Sequence, residues 1–422
     1  MTAPGAARAE FPVGRGSAVT AGSAVTAAGR SGLGDVCDVL WPPPATASLA
    51  RGRATPPNER DFILLPFSRS PRLLVPSTRR ASAAAVRRYG EPGSFKAWAG
   101  SRTLALALAG GAAAVGLGGR LRVRVPVGAD TIEAYLRDVL GRDVLISTHL
   151  GAARANRKPV LQLLTSRGEP AGFAKISINP LTRDLIRAER AALDTLAAEN
   201  LRELTVPRVL HHGQWQGRDV LIMNALPVWR RRRALRPGQL VAAMTELTAV
   251  GGRSHGPLAG SAFLARMTSR LASTLAGADR DALATALGTL AAANPELSFG
   301  AWHGDWTGWN MASIAEGLLV WDWERFTQSV PAGFDALHYQ LQTAVIRRRQ
   351  PPPDAAAECM RAAPAALAPF GVPAAEAHLT GVLYLAELSV RYLADRQAEA
   401  GARLGRPSTW LIPAIEEAMR NL

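Results

Sequence analysis

The chain has 422 residues, of which 48% are hydrophobic and 20% charged, enough for two or three globular domains with a sizeable core. Its formal net charge of +15 would suit a nucleic acid or an acidic membrane as partner. However, almost all of the basic residues are arginines, they are dispersed apart from residues 230–233, and abundant Ala, Gly, Arg and Pro is typical of GC-rich coding. We therefore expect neither a nucleic-acid partner nor a membrane partner.

No export signal, membrane span or cysteine-based metal site is predicted. The N-terminal residues lack a continuous apolar stretch before a small-residue cleavage site. The longest uncharged apolar run, residues 103–119, is mostly Ala and Gly and too weakly hydrophobic for a span, so we expect a buried helix there. Cys37 and Cys359 lie far apart and predict neither a zinc site nor a disulfide. The expected location is cytoplasmic.

The first part of the chain is not predicted to carry chemistry. Residues 1–58, rich in Ala, Gly, Ser, Thr and Pro, are predicted to be a disordered leader. Residues 59–126 are predicted to be an accessory α/β segment that packs as a cap on the following lobe. Its predicted elements are strands at 62–65, 72–75 and 121–125 and helices at 78–89 and 98–117.

From residue 127 the pattern predicts a short helix and then strands at 144–147, 160–164 and 172–177, followed by a helix over 182–200. Lys175 lies within the third, apolar strand. Burying an ammonium group without a partner costs several kcal/mol, so this lysine needs a nearby anion. Glu189 on the following helix is the candidate. The alternative is that Lys175 extends to solvent and Glu189 is a surface charge.

Beyond residue 227 the periodicity predicts helices over 239–250, 262–275 and 279–294. A polar segment follows, in which Asp305 and Asn310 lie five residues apart. The apolar run 318–321 then predicts a short buried strand, with Asp322 and Glu324 at its end. Such an oxygen-rich cluster suits Mg²⁺, which prefers one or two carboxylates plus phosphate oxygens, and it points to phosphoryl transfer. The alternative is a polar hairpin whose side chains make turn hydrogen bonds.

This segment resembles the catalytic loop and metal-binding motif of the aminoglycoside phosphotransferase family, a branch of the protein-kinase-like fold. The residues that carry the resemblance are His303, Gly304, Asp305, Asn310, Asp322, Trp323 and Glu324. The resemblance implies that Asp305 accepts the proton of the substrate hydroxyl and that Asn310 and Asp322 hold the metal. It further implies that His303 is a structural member of the loop and that Glu324 is accessory to the site.

The resemblance also implies roles for residues outside this segment. The pair formed by the strand lysine and the helix glutamate would hold the nucleotide phosphates. The loop at 148–159 would cover those phosphates; it contains Gly151 but lacks the repeated glycines of protein kinases. Met223, Asn224 and Leu226 would lie in the linker between lobes and offer backbone groups to the adenine edge. Asp335 would bond the catalytic loop, although a plain helix N-cap is an equally good account.

The sequence therefore predicts an α+β, bilobal protein-kinase-like fold with an N-terminal accessory segment. A small antiparallel β lobe would span residues 127–226 and bind nucleotide, and a helical lobe would span 227–422 and hold the catalytic loop and the acceptor. The expected function is an ATP- and Mg²⁺-dependent phosphotransferase acting on a hydroxyl of a small molecule such as an antibiotic, a sugar or an amino-alcohol. The alternative is a catalytically silent kinase-like nucleotide-binding module.

Overall fold

The computed structural model describes residues 27–50, 55–56, 59–66, 71–88, 95–111, 119–150, 155–402 and 404–420. These residues form an α+β fold in which a smaller, sheet-based lobe precedes a larger, mainly helical lobe, as the sequence predicts. None of the helices in the described ranges is both long and apolar enough to span a membrane.

The smaller lobe is built on one sheet. The strands of the first half of the chain are β1 (Thr46–Ala50), β2 (Glu59–Leu65), β3 (Leu73–Pro76), β4 (Gly119–Arg124), β5 (Leu145–His149), β6 (Val160–Leu164), β7 (Pro170–Ile176), β8 (Leu204–Thr205), β9 (Val209–Trp215) and β10 (Arg218–Met223). All of them except β8 join in one antiparallel sheet, in the order β1-β4-β2-β3-β5-β6-β7-β10-β9.

The predicted accessory segment extends this sheet rather than capping the lobe. β3 pairs with β5 in the register Leu73↔His149 and Leu74↔Thr148, so the sheet crosses the predicted boundary at residues 126–127. The physical reason is that the free edge of β5 presents unpaired backbone N–H and C=O groups, which an apolar strand can satisfy. Alternation along β2 places Phe62 and Leu64 in one core and Ile63 and Leu65 in another, so both faces of the extension are buried.

The predicted disordered leader is wrong for residues 27–50. Helix α1 (Ala27–Leu40) and β1 lie in this segment, while residues 1–26 fall outside the described ranges. Leu33 and Leu40 of α1 bury against the sheet together with Trp41. The Trp41 indole stacks on Phe62 at 5.0 Å and donates hydrogen bonds to both carboxylate oxygens of Glu133, at 3.0 and 2.9 Å. Burial of this aromatic anchor orders a segment whose composition is typical of disorder.

Four further helices pack around the sheet. They are α2 (Arg79–Arg88), α3 (Phe95–Ala109), α4 (Ile132–Leu140) and α5 (Pro180–Ala197). α4 lies with α1 on one face, and α2 and α3 cover the other face at β2 and β3. α5 begins with a capping box, in which Asn179 and Thr182 each accept a hydrogen bond from the other's backbone N–H. This cap fixes the start of the helix that carries Glu189.

The larger lobe is built mainly of helices packed around one buried helix. Its elements are α6 (Pro237–Thr248), β11 (Ser254–Pro257), α7 (Ala262–Ala272), α8 (Ala278–Ala293), β12 (Glu296–Trp302), β13 (Met311–Ile314), β14 (Gly317–Val320), β15 (Thr327–Pro331), α9 (Phe334–Gln342), α10 (Pro352–Leu367), α11 (Ala374–Ala394) and α12 (Leu411–Arg420). α11 is buried along most of its length and packs against α7, α8, α9, α10 and α12. β12 and the β13–β14 hairpin bring the polar segment of the sequence to the side facing the smaller lobe.

Candidate active site

The loop between β12 and β13 brings the predicted base and the predicted amide ligand into direct contact. The side-chain amide of Asn310 donates to Asp305 Oδ2 at 2.9 Å and to the Asp305 backbone carbonyl at 3.0 Å. The Asp305 side chain remains 36% exposed, so one carboxylate can meet a substrate while its orientation is fixed.

Gly304 makes the turn into this loop possible. Its φ of +82° lies in the left-handed region, which favours glycine. A Cβ at this position would lie 2.4 Å from the backbone oxygen of Arg325, a contact that real side chains do not make. The loop therefore packs backbone against backbone next to Asp305, which no other residue type at 304 would allow.

Two helices of the larger lobe hold this loop from behind. Asp335, in the first turn of α9, accepts hydrogen bonds from the backbone N–H groups of His303 at 2.7 Å and Gly304 at 3.1 Å. It thus bonds the loop, and the N-cap position of α9 is Gly333. Burial raises the pKa of Asp335 to about 7, although the two donated hydrogen bonds act in the opposite direction. Arg391 of α11 donates to the Gly304 carbonyl at 2.6 Å, a role the sequence did not reveal.

His303 links the loop to the end of β14. Its Nδ1 accepts the backbone N–H of Asp305 at 3.1 Å, and its Nε2 donates to the Trp321 carbonyl at 3.1 Å. The ring packs on Trp323 with centroids 4.5 Å apart. Burial lowers the pKa of His303 to about 4, so the ring is neutral and both hydrogen bonds are satisfied. His303 therefore joins the loop to the residues that follow β14.

A second histidine, His338 of α9, contacts Asp305 from the buried side. Its Nε2 lies 3.2 Å from Asp305 Oδ1, and its Nδ1 lies 3.0 Å from the Tyr384 hydroxyl. The arrangement fits a Tyr384 hydroxyl that donates to Nδ1 and an Nε2–H that donates to the carboxylate. His338 was not identified from the sequence, because it follows Asp305 by 33 residues and belongs to no local motif.

The metal-binding candidate Asp322 follows β14 and lies beside the loop. The backbone N–H of Trp321 donates to the Asn310 carbonyl at 3.0 Å, so one hydrogen bond joins Asn310 to the residue that precedes Asp322. Asp322 itself has a φ of +73°, an uncommon conformation that aspartate tolerates better than most residues. This turn directs its carboxylate to Lys175, with Oδ1 and Nζ 2.5 Å apart.

Lys175 and Glu189 form the predicted ion pair. Lys175 Nζ lies 2.7 Å from Glu189 Oε1, and the two side chains are 8% and 0% exposed, so the solvent-facing alternative is excluded. Burial alone would lower the pKa of Lys175, but the neighbouring carboxylates of Asp322, Glu189 and Glu324 outweigh it and raise the pKa. The lysine is therefore charged.

Glu324 and an unexpected residue, Lys158, complete the cluster. The Lys158 amine is ion-paired with Glu324 Oε2, and both side chains are nearly inaccessible. Lys175 Nζ is 3.9 Å from the same carboxylate. A signal for Lys158 exists in the sequence, because only three lysines occur among 49 basic residues, and two of them lie here.

The residues present fit a divalent cation. Carboxylate oxygens of Glu189, Asp322 and Glu324 all lie within 4.8 Å of one another. Such hard oxygen donors suit Mg²⁺ when phosphate oxygens complete the coordination. Lys158 and Lys175 balance part of the negative charge of these three carboxylates.

Several backbone groups of the predicted linker residues already make hydrogen bonds within the chain. The Asn224 backbone N–H already donates to the Arg208 carbonyl at 3.0 Å, and its side-chain oxygen accepts from Arg208 N–H at 2.6 Å. The Leu226 carbonyl accepts from Val228 N–H at 2.8 Å. These three groups therefore already have hydrogen-bond partners within the chain. Met223 pairs with Phe173 in the sheet. Gly151 lies outside the described residues.

Comparison with known proteins gives structural matches only. No family model matches the sequence, and no curated protein matches it. A putative fructosamine-3-kinase from Haemophilus somnus 129PT is 16% identical with a TM-score of 0.39, over 68% of this chain and 96% of that one. Wild-type aminoglycoside 2'-phosphotransferase-IIIa in its GDP complex is 12% identical with a TM-score of 0.38, over 63% and 90%. Spectinomycin phosphotransferase with ADP and spectinomycin is 13% identical with a TM-score of 0.38, over 69% and 95%. The chain is thus similar to solved structures of small-molecule kinases.

Proposed function

We propose that this chain transfers the terminal phosphoryl group of ATP to a hydroxyl of a small molecule. The observation that carries the proposal is the convergence of Lys175 and Glu189 from the smaller lobe with Asp322 from the larger lobe. A buried, charged lysine between carboxylates of two lobes is a costly arrangement. Phosphoryl transfer would explain this arrangement, because that chemistry depends on positioning and neutralising the charged phosphate groups.

In this proposal each residue has a defined task. Lys175, held by Glu189, binds the phosphates. Asp305 accepts the proton of the acceptor hydroxyl, and its exposed carboxylate is oriented by Asn310 and His338. Asp322, one of the three clustered carboxylates, would hold Mg²⁺ together with Asn310, and the cation would neutralise charge on the transferring phosphate.

The direct test is Asp305→Ala. We expect turnover to fall by about 10²- to 10⁴-fold because the general base is removed, while the fold is retained and nucleotide affinity stays near wild type. ADP release is measured with the acceptor that the wild-type protein uses. Asp138→Ala, which removes an exposed aspartate of α4, is the control and should keep full turnover. Full turnover in Asp305→Ala would rule out the assigned base.

The acceptor is found by screening hydroxyl compounds for ADP release. Spectinomycin, which is bound in one of the similar structures, is a reasonable first compound alongside sugars and amino-alcohols. The rival hypothesis is a silent nucleotide-binding module. It predicts that ATP and Mg²⁺ raise the melting temperature while no acceptor in the panel gives ADP.

A further inference from the structure

Lys158 lies just before the strand that pairs with the strand of Lys175. It lies two residues before β6, and Val160 of β6 pairs with Lys175 of β7 in the sheet. The two amines share Glu324, which is in contact with Lys158 and 3.9 Å from Lys175. Lys158 is therefore a second ammonium group between the two lobes, and its side chain is only 6% exposed.

The two lysines differ in how firmly they are held. Lys175 has close contacts with both Glu189 and Asp322. Within the described part of the chain, the carboxylate that pairs with Lys158 is Glu324 alone. Glu324 is also one of the three carboxylates close enough to share a cation. A cation at that site would compete with Lys158 for Glu324, and a phosphate chain would compete with Glu324 for Lys158.

From this geometry we infer that Lys158 is a second phosphate-binding residue, which Glu324 holds when no nucleotide is bound. Entry of the nucleotide transfers Lys158 from Glu324 to a phosphate oxygen and leaves the Glu324 carboxylate available to the cation. A compact ammonium group suits this exchange better than arginine, whose planar group favours fixed bidentate pairs. The inference rests on the proposed function, and it adds a residue and an exchange that the catalytic-loop motif does not contain.

The exchange makes a reciprocal prediction for binding of AMP-PNP without divalent metal, measured by calorimetry in EDTA. Lys158→Met should weaken binding by about tenfold or more, because a charge-assisted contact is lost. Glu324→Gln should tighten it, because Lys158 is released. In the Lys158→Met background, Glu324→Gln should increase AMP-PNP affinity much less, because there is no Lys158 ammonium group for the Glu324 carboxylate to bind. Adenosine, which has no phosphate, should bind all variants alike.

Two controls isolate the role of Lys158. Lys158→Arg keeps the positive charge and should lose less affinity than Lys158→Met. Arg167→Ala removes an exposed cation of the same lobe and should leave AMP-PNP affinity unchanged. Melting curves of each variant report whether the fold is retained.

A second measurement follows the lysine side-chain signals of the wild-type protein by NMR. The chain has three lysines, so protein labelled with ¹³C-lysine gives few side-chain signals, which Lys158→Arg assigns. AMP-PNP should shift the Lys158 signal and adenosine should not. The inference is overturned if that signal does not move, or if Glu324→Gln tightens binding equally with and without Lys158. In either case AMP-PNP binding by the wild type leaves the proposed function standing, whereas its absence overturns that function.

Discussion

The His303 side chain, next to Asp305, makes both of its hydrogen bonds when the ring is neutral. His303 accepts one backbone hydrogen bond and donates another, so a proton on Nδ1 would break the bond from Asp305 N–H. Its burial lowers the pKa from 6.5 to about 4. At His303 the native state therefore binds fewer protons than the unfolded state between these values, so the contribution of this residue to stability falls as the pH drops through this window.

The lowered pKa of His303 predicts how much stability this residue contributes. A lowering from 6.5 to about 4 corresponds to roughly 3 kcal/mol of stability that is present above pH 6.5 and lost by pH 4. Urea unfolding of the wild type and of His303→Gln across this range checks it. The two stability curves should converge as the pH falls, because the variant lacks the titrating ring. Parallel curves would contradict the prediction.

At the scale of single residues, the sequence revealed what lies within one local motif or one strand and the next helix. Asp305 with Asn310, and Lys175 with Glu189, are contacts of this kind. Contacts that join distant segments could not be predicted, because no local pattern encodes them. The Lys158–Glu324 pair spans 166 residues in the sequence, and only the rarity of lysine hinted at it.

At the scale of elements, α9 and α11 act as a clamp on the catalytic loop. The Asp335 carboxylate accepts two backbone N–H groups, and the Arg391 guanidinium donates to the carbonyl of the same turn. The loop has no regular secondary structure over these residues, so the clamp satisfies backbone groups that would otherwise be buried without partners.

Removal of this clamp should destabilise the whole protein. We predict that Asp335→Ala lowers the free energy of unfolding by roughly 2 to 5 kcal/mol, because two buried N–H groups lose their acceptors. Asp335→Asn keeps one acceptor and should lose less. Asp354→Ala, at an exposed first-turn position of α10, is the matched control. Urea denaturation measures all three, and equal stability of Asp335→Ala and the control would contradict the role of the clamp.

The sequence predicted many of these elements but not how they assemble. The strands predicted at 144–147, 160–164 and 172–177 correspond to β5, β6 and β7, because apolar runs bounded by turn residues are a local signal. The extension of the sheet by β1 to β4 depends on pairing at a strand edge, which leaves little local trace. α1 was missed because its surroundings are compositionally typical of disorder.

At the scale of the whole molecule, the site exists only where the two lobes meet. Lys158, Lys175 and Glu189 come from the smaller lobe, and Asp322 and Glu324 come from the larger one. The backbone N–H of Trp323 also donates to Glu189 at 3.3 Å. Cross-lobe ion pairs of this kind are weak evidence for stability, because desolvation offsets much of the attraction. Their place between a predicted catalytic loop and a sheet favours a role in binding a charged ligand.

The most direct test of this account is calorimetric titration of AMP-PNP, with and without Mg²⁺, into the wild type and Asp322→Asn. We predict that Mg²⁺ tightens binding to the wild type and that Asp322→Asn abolishes this dependence while it still binds the nucleotide alone. The same Mg²⁺ dependence in the variant as in the wild type, or no nucleotide binding by the wild type, would contradict the account.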